Sequence, residues 1–339
     1  MLGTKRLTDQ QLDELIARLG RVDFGRWREG DLVRAMEFLG WELHRGQAGE
    51  EGLGALRAET GYTTGSAFAD MVPSQANIKT DAEYYAIELM ILKSAERGKA
   101  GEEHRMIVFR EVLRRILSVL GAPDVTGGDG GPWVRWRDPI ATLELHLRRF
   151  YGGVSLRILA TDAMEALEAR NIVHGDTSGW RAYSNEDIEL PGEPVVKDIA
   201  EFADRLTGCI NDMAGDMPIM DNAATLILRT NDWSGRFVQT VVDGSIRVEA
   251  SAAVRDPYRA GIGRLADLGF RPPGGGVPTW SRTFEHGNRA DSAAAAHMLV
   301  DGMKLFGIDD LFDIQYDGFT ADGDRLYLPV LGIAGRSDF

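Results

Sequence analysis

Apolar positions in the first third of the chain recur mostly at helical spacing. Thr8 precedes the segment DQQLDELIARLG, whose leucines and isoleucine lie on one helical face until Gly20. This pattern predicts an amphipathic helix with an N-terminal cap and a glycine stop. The segment DLVRAMEFLG, which ends at Gly40, repeats it. A longer helix is predicted over residues 104–121, and its apolar face is expected to comprise Ile107, Val108, Val112, Ile116, Leu117 and Leu120.

Strand patterns dominate the next part of the chain. The segments LGALRAETG and EYYAIELMILKS are rich in strand formers, and the glycine-rich VTGGDGGP, predicted to be a loop, is followed by WVRWR, ATLELHLRRF and VSLRILA. In ATLELHL, leucines alternate with Thr142, Glu144 and His146. Strict alternation predicts a strand that buries its leucines and leaves its polar face outside the core.

The second half mixes long helical patterns with strands. Helices are predicted in VVKDIAEFADRLTGCINDM, YRAGIGRLADLG and DSAAAAHMLVDGMKLFG, and strands in ATLILRT, GRFVQTVV, SIRVEAS, PTWSRTF, LFDIQYDGF and RLYLPVLGI. Asp243-Gly244 between two of these strands is a strong hairpin signal. We expect the hairpin to bury Val238, Val241, Ile246 and Val248, and to present Gln239, Thr240, Arg247 and Glu249 on a polar face that is either solvated or available to a partner.

These elements predict an α+β fold with mainly antiparallel sheets and helices on one side of each. Residues 175–194 have no regular period and are rich in turn formers. We therefore expect an N-terminal domain over residues 1–180, a linker over 181–194 and a C-terminal domain over 195–339. The strands VSLRILA and GSIRVEA resemble each other, which leaves open whether the domains are copies of one fold or share only hairpin and helix-stop rules.

Composition and charge narrow the function classes. The net charge of −14 disfavours a protein that neutralises nucleic-acid phosphates. The charge serves either solubility or the capture of a cationic partner. The chain has one cysteine, Cys209, so an internal disulfide or a thiolate metal cluster is excluded. With neither a membrane-spanning apolar run nor a signal-peptide pattern at its N-terminus, the chain is expected to be cytoplasmic and not to bind membranes.

Catalytic and cofactor motifs are missing from the sequence. The six histidines do not have metal-ligand spacing, and the glycine clusters GGDGGP and PPGGGVP lack the strand-to-helix context of a phosphate loop. The most suggestive polar trio is His174-Gly175-Asp176, in a turn where hydrogen bonding explains it equally well. We assign no catalytic, cofactor or metal residue and expect no cofactor.

Partner-binding candidates come from the C-terminal strands. Arg247 and Glu249 lie on the polar face of the predicted hairpin, and Trp280 stands beside Arg282 in the next strand. Exposed tryptophan and arginine are enriched in protein interfaces. These four residues are therefore the predicted contacts with a protein partner, while the sequence leaves a homo-oligomer open.

The C-terminal half resembles the TY-Chap domain, a bacterial family frequent in actinobacteria and related to YbjN and to type III secretion chaperones. The resemblance covers about residues 196–333 and rests on an ordered series of segments. They are RFVQ and RVEAS in the hairpin, the stop LGFRPP, the strand WSR and the final helix followed by IQYDGF. The N-terminal half, especially WVRWRDPIATLELHLRRF, is similar over about residues 25–175 to an actinobacterial family of unknown function.

The resemblance implies a sheet covered by helices and a protein that acts by binding. Such a protein is expected to be a chaperone or immunity-type partner that escorts or neutralises an effector or toxin, and no catalytic residues come with either family. Two alternatives remain: an enzyme with a dispersed site near His174 and Asp176, and a structural subunit of a larger assembly.

Overall fold

The computed structural model describes residues 4–45, 56–149, 152–174, 179–184, 195–230, 235–251, 258–285 and 288–335. The chain divides into two compact units. The first comprises residues 1–126 and 130–174, and the second comprises residues 127–129 and 175–339. Each unit combines an antiparallel sheet with helices, so the predicted α+β class is confirmed.

The elements of the first unit follow the order β1 (Lys5–Arg6), α1 (Asp9–Leu19), α2 (Glu29–Leu39), β2 (Glu42–Arg45), β3 (Leu56–Glu59), β4 (Ala67–Met71), β5 (Tyr84–Lys93), α3 (Gly98–Leu120), β6 (Val125–Gly128), β7 (Pro132–Trp136), β8 (Ala141–Arg148), β9 (Gly153–Ala160) and α4 (Thr161–His174). The last two residues of β6 are counted with the second unit.

The sheet of the first unit has the strand order β2-β3-β4-β5-β9-β8-β7, and β1 pairs with β5. The helices α1 and α3 meet the sheet on the face that carries Leu143 and Ile158. The helix α4 packs on the opposite face, where its Met164 contacts Leu159. The prediction that helices lie on one side of each sheet is therefore wrong for this unit.

The polar face of strand β8 is buried, contrary to the prediction, because helix α4 covers it. Thr142 and Glu144, expected outside the core, are almost completely buried. Glu168 of α4 lies over that polar face, where it bonds to Arg135 of β7. The alternation of the strand was correctly identified, but the segment TDAMEALEAR that covers its polar face was not predicted to be helical.

Helix α3 buries Val108, Val112 and Ile116 of its predicted apolar face, but Ile107 and Leu120 are exposed. Val108, Phe109, Val112 and Ile116 are buried, whereas 54% of Ile107 is exposed. Ile107 is rotated by about 100° from Val108 in a helix of 3.6 residues per turn, so it falls off the buried stripe. The prediction of a loop in the glycine-rich segment VTGGDGGP is also wrong in part, because its first four residues form strand β6.

The elements of the second unit follow the order β10 (Trp180–Tyr183), α5 (Ile199–Met220), β11 (Ala224–Thr230), β12 (Phe237–Val242), β13 (Ile246–Ala250), β14 (Trp280–Phe284), α6 (Arg289–Leu305), β15 (Ile314–Thr320) and β16 (Arg325–Tyr327). The predicted helix YRAGIGRLADLG contains a 3-10 helix over Tyr258–Arg264. The strand β10 pairs with β16. Most of the predicted linker, residues 185–194, lies outside the described residues, and the predicted domain boundaries stay a prediction.

The sheet of the second unit has the order β14-β13-β12-β11-β15-β16-β10. Its core joins α5 and α6 to one sheet face, on which Leu226, Val238 and Val248 are buried. The hairpin forms around Asp243-Gly244 as predicted, with Val242 opposite Ile246. Two of its assignments are wrong, because Thr240 is buried on the helix side and Val241 points to the opposite side. Side chains of a strand alternate, so Val238 and Val241 cannot share a face of this strand.

The two units connect their strands differently. In the first unit, the last strand of the run β2 to β5 lies beside β9. In the second unit, the first strand of the run β11 to β14 lies beside β15. The two similar segments, in β9 and β13, therefore occupy different places in their sheets. Shared hairpin chemistry explains their similarity better than two copies of one fold. Among the described residues, no helix is long and apolar enough to cross a membrane.

A close approach in the second unit provides a test of its packing. The indole Nε1 of Trp180 donates to Asp216 Oδ2 over 3.0 Å, and both residues are buried. A Cβ on Gly128 would lie 1.9 Å from that carboxylate oxygen. We expect Gly128→Ala to lower the free energy of unfolding by about 1–3 kcal/mol, as overpacking does, measured by urea unfolding.

The matched control is Gly208→Ala on α5, where a Cβ would meet nothing within 4 Å. Alanine is favoured over glycine inside a helix by about 0.5–1 kcal/mol, so this variant should be at least as stable as the wild type. Equal stability of the two variants would contradict the packing at Gly128.

Candidate functional site

The sheet of the second unit has a face directed away from α5 and α6, here termed the outer sheet face. Alternation along each strand decides which side chains it carries. The described residues on this face of β11, β12, β13, β14 and β15 are Thr225, Ile227, Arg229, Phe237, Gln239, Val241, Arg247, Glu249, Ser281, Thr283, Gln315, Asp317 and Phe319.

Apolar side chains on the outer sheet face lie on its three central strands, towards one end of these strands. Val241 of β12 is opposite Thr225 of β11, and Thr225 is opposite Phe319 of β15. Ile227 lies two residues further along β11, on the same side. Phe319 is 40% exposed, the most open of these apolar residues. The apolar residues therefore form a band across three neighbouring strands.

Two ion pairs border this band. On one side, Arg229 Nη2 and Asp317 Oδ2 are 2.7 Å apart across β11 and β15. On the other side, Arg247 Nε and Glu249 Oε1 are 2.8 Å apart within β13. Each pair balances its own charge, so these four residues give the outer sheet face no net charge.

Glu249 is more firmly held than the sequence suggested. Its Oε2 accepts hydrogen bonds from Gln239 Nε2 at 2.7 Å and from Thr279 Oγ1 at 3.1 Å. Its side chain is 8% exposed, whereas that of Arg247 is 47% exposed. Arg247 is therefore the member of the pair that a partner could reach, and Glu249 serves to orient it.

The four predicted partner-binding residues do not share one surface. Trp280 is opposite Ala250 and Arg282 is opposite Val248, which places both on the helix side of the sheet. The Arg282 guanidinium lies over the Phe284 ring, with Cζ 4.8 Å from its centroid. Arg247 and Glu249 are on the outer sheet face. The sequence shows alternation within a strand, but the faces of two strands can be matched only when their register is known.

The residues missing from the sequence-based site are the apolar ones on the outer sheet face. The sequence predicts Ile227 and Phe319 only as members of strands, and Val241 as a core residue. The alternation in ATLILRT and DIQYDGF was the available signal, since it predicts that each strand carries one apolar residue on its second face. Aliphatic and aromatic residues there are what an interface requires.

The catalytic alternative gains no geometric support within the described residues. His174 is the exposed last residue of α4, and Asp176 lies outside the described residues. Cys209 is buried, and burial raises the pKa of its thiol, which disfavours the reactive thiolate. In the described part of the chain, no group of three or more His, Cys, Asp or Glu side chains is placed to hold a metal ion.

A buried ion cluster lies in the first unit, around Glu144. Glu144 accepts from Arg135 Nε and from Arg157 Nη1, both at 2.7 Å, and Arg135 also reaches Glu168 at 2.7 Å. Burial alone would raise the pKa of Glu144, but Arg157 and Arg135 hold that pKa well below its usual range. The cluster joins β7, β8, β9 and α4, so its evident role is to hold the sheet against the helix.

His146 lies beside this cluster but takes no part in its hydrogen bonds. Its Nδ1 is 4.0 Å from Glu144 Oε1, and neither ring nitrogen has a hydrogen-bond partner in the described part of the chain. Burial lowers the pKa of His146, the carboxylate of Glu144 opposes this change, and Arg157 and Arg148 add to it. The imidazole is therefore favoured in its neutral form.

The lowered pKa of His146 predicts a loss of stability in mild acid. As the pH falls through about 6.5 the unfolded chain takes up this proton before the folded chain does, so the free energy of unfolding decreases. We expect the loss between pH 7 and about pH 5 to be smaller in His146→Asn, measured by urea unfolding at both pH values. His174→Asn removes an exposed histidine and should keep the wild-type pH dependence. The same pH dependence in all three proteins would contradict this account of His146.

Comparison with known protein families finds a match for part of the chain. Residues 197–320 match the model of the TY-Chap3 family, described as T3SS (YopN, CesT) and YbjN peptide-binding chaperone 3. No curated protein and no solved structure matches the chain. The matched segment contains every residue of the outer sheet face defined above, and the similarity of the N-terminal half to an actinobacterial family stays a prediction. The resemblance of the C-terminal half to the TY-Chap family is thus confirmed over residues 197–320.

Proposed function

We propose that this protein binds a peptide segment of a partner protein on the outer sheet face of its second unit. The match to a peptide-binding chaperone family carries this proposal, because it spans all strands that build the face. The apolar band of Ile227, Val241 and Phe319 supports it. A sheet face with apolar residues on its central strands and ion pairs beside them suits a segment that brings its own apolar side chains.

Phe319 is the side chain from which a bound peptide would gain most. An aromatic side chain presents roughly 200 Å² of surface, and 40% of Phe319 is exposed. Covering this remainder, about 80 Å², is worth about 2 kcal/mol at roughly 25 cal/mol per Å². A change of that size corresponds to about a thirtyfold change in dissociation constant.

Arg247 would fix the orientation of a bound peptide more than it would add to the affinity. Its guanidinium is held by Glu249 at one edge of the apolar band and is half exposed. An arginine oriented in this way can donate to backbone carbonyls or a carboxylate of a bound segment. Trp280 and Arg282 lie on the opposite side of the sheet, so a peptide confined to the outer sheet face would not need them.

The biological role that fits this binding is a non-catalytic one in the cytoplasm. We propose a chaperone or immunity-type protein that escorts or neutralises a bacterial effector or toxin. The net charge of −14 would speed the association of a cationic partner. The four charged residues beside the apolar band balance one another, so such attraction would come from the rest of the surface.

The proposal predicts that Phe319→Asp weakens peptide binding strongly. Peptides selected against the full-length protein from a random display library would be labelled, and their dissociation constants measured by fluorescence anisotropy. We expect a loss of at least tenfold for Phe319→Asp, because the variant removes apolar surface and places a charge in the apolar band.

The control is Phe312→Asp, since Phe312 is also an exposed phenylalanine of the second unit, 67% exposed, but lies before β15 in a 3-10 helix. It should bind like the wild type. If Phe312→Asp weakened binding as much as Phe319→Asp, or if neither did, the outer sheet face would not be the binding site.

A further inference from the structure

Two lysines of the first unit lie directly opposite each other on neighbouring strands. Lys5 of β1 and Lys93 of β5 are register partners in an antiparallel pair. Side chains at such positions lie on the same side of the sheet, with their Cβ atoms about 4.5–5.5 Å apart. The chain has only six lysines, and the fold brings two of them together from distant parts of the sequence.

No carboxylate neutralises these two ammonium groups in the described part of the chain. Neither Lys5 nor Lys93 forms an ion pair there, whereas Lys99 and Lys304 lie 3.9 Å and 3.2 Å from an acidic side chain. Burial, the charge of Lys5 and that of Arg57 together lower the pKa of Lys93. The ammonium of Lys93 is therefore in a positive field.

The same ammonium lies against the loop that precedes β4. A Cβ on Gly65 would be 3.4 Å from Lys93 Nζ. Thr60 Oγ1 donates to the carbonyl oxygen of Gly65 at 2.7 Å, and Thr63 Oγ1 donates to that of Arg6 in β1 at 3.2 Å. The loop is thus tied to β1 on one side and lies beside Lys93 on the other, which limits how far the two lysines can move apart.

Arg57 adds a third positive charge near Lys93, but this charge is already balanced. Its Nε donates to Ser66 Oγ at 2.8 Å, and its Nη2 is 2.6 Å from Glu59 Oε1. The uncompensated charge at this place is therefore that of the two lysines. Like charges directly opposite each other destabilise a sheet, and an anion bound between them would remove this repulsion.

We propose that Lys5 and Lys93 bind a phosphate group, carried either by free inorganic phosphate or by a phosphorylated side chain of a partner polypeptide. A phosphoryl group has a charge of about −1.5 to −2 at pH 7 and so matches two ammonium groups, whereas a single carboxylate would balance only one. Each ammonium offers three donors, and both side chains are exposed. The site lies outside residues 197–320, so the family match does not account for it.

The net charge of −14 does not prevent such binding. Salt limits the reach of exposed charges to about 8 Å at physiological ionic strength, so a bound ion is affected mainly by the charges next to it. The charged residues that act on Lys93 include no acidic one. Since the attraction is electrostatic, we expect binding to weaken as the salt concentration rises.

The first test is a calorimetric titration of the full-length protein with inorganic phosphate at constant ionic strength. We expect saturable binding to the wild type with a millimolar dissociation constant. The double variant Lys5→Gln, Lys93→Gln should bind about tenfold more weakly, as for the loss of two exposed charge contacts.

Thermal unfolding provides a second readout with the opposite sign. Without phosphate, Lys5→Gln should have a higher Tm than the wild type, because it removes the repulsion between the lysines. With about 20 mM phosphate, the wild type should gain more in Tm than the variant, since a ligand that binds only the folded state stabilises it. The general stabilising effect of phosphate as a salt is the same in both proteins and cancels in this comparison.

The control is Lys99→Gln, which removes another exposed lysine of the same unit. It should bind phosphate like the wild type, and its Tm should not rise in the absence of phosphate.

A phosphoserine peptide and its unphosphorylated form distinguish the two sources of the phosphate group. Tighter binding of the phosphopeptide than of inorganic phosphate supports a phosphorylated partner. Equal or weaker binding of the phosphopeptide supports free phosphate. In both cases the proposal requires that the affinity falls in the double variant.

Either of two results would overturn the proposal. One is the absence of saturable phosphate binding below about 100 mM, or equal affinities of the wild type and the double variant. The other is an equal loss of affinity in Lys99→Gln, which would make binding an effect of total charge and not of the two opposite lysines.

Discussion

The burial of one face of the second sheet against α5 and α6 governs what the rest of that unit can do. Leu226, Val238 and Val248 are buried against these helices. Because side chains alternate along each strand, the residues between them must lie on the outer sheet face. That face carries Ile227 and Val241, so the core packing on the other side decides which side chains the outer sheet face presents.

In the first unit, the second face of the sheet is used differently. Its sheet is covered on both faces, and the second face carries a buried ion cluster around Glu144. A buried charge is tolerated only when it is paired and hydrogen-bonded. Arg135 and Arg157 provide this pairing and join three strands to α4.

Many of the helices and strands could be predicted from the sequence, but which side chains share a face of each sheet could not. The helix that begins after Thr8 and the hairpin at Asp243-Gly244 have local signals, and both were confirmed. The burial of Glu144 depends on α4, which is distant in sequence. The separation of Arg247 from Trp280 depends on strand register. Local patterns report periodicity, whereas these two features are set by long-range packing.

The most direct test of the account is to locate a bound peptide on the sheet. A photo-cross-linking amino acid at Gln239, on the outer sheet face, should capture a selected peptide on irradiation. The same amino acid at His297, an exposed residue of α6, should not, and mass spectrometry would identify the products. Cross-linking from Gln239 alone is the predicted result. Cross-linking from His297 with none from Gln239 would place the peptide on the helices and contradict the account.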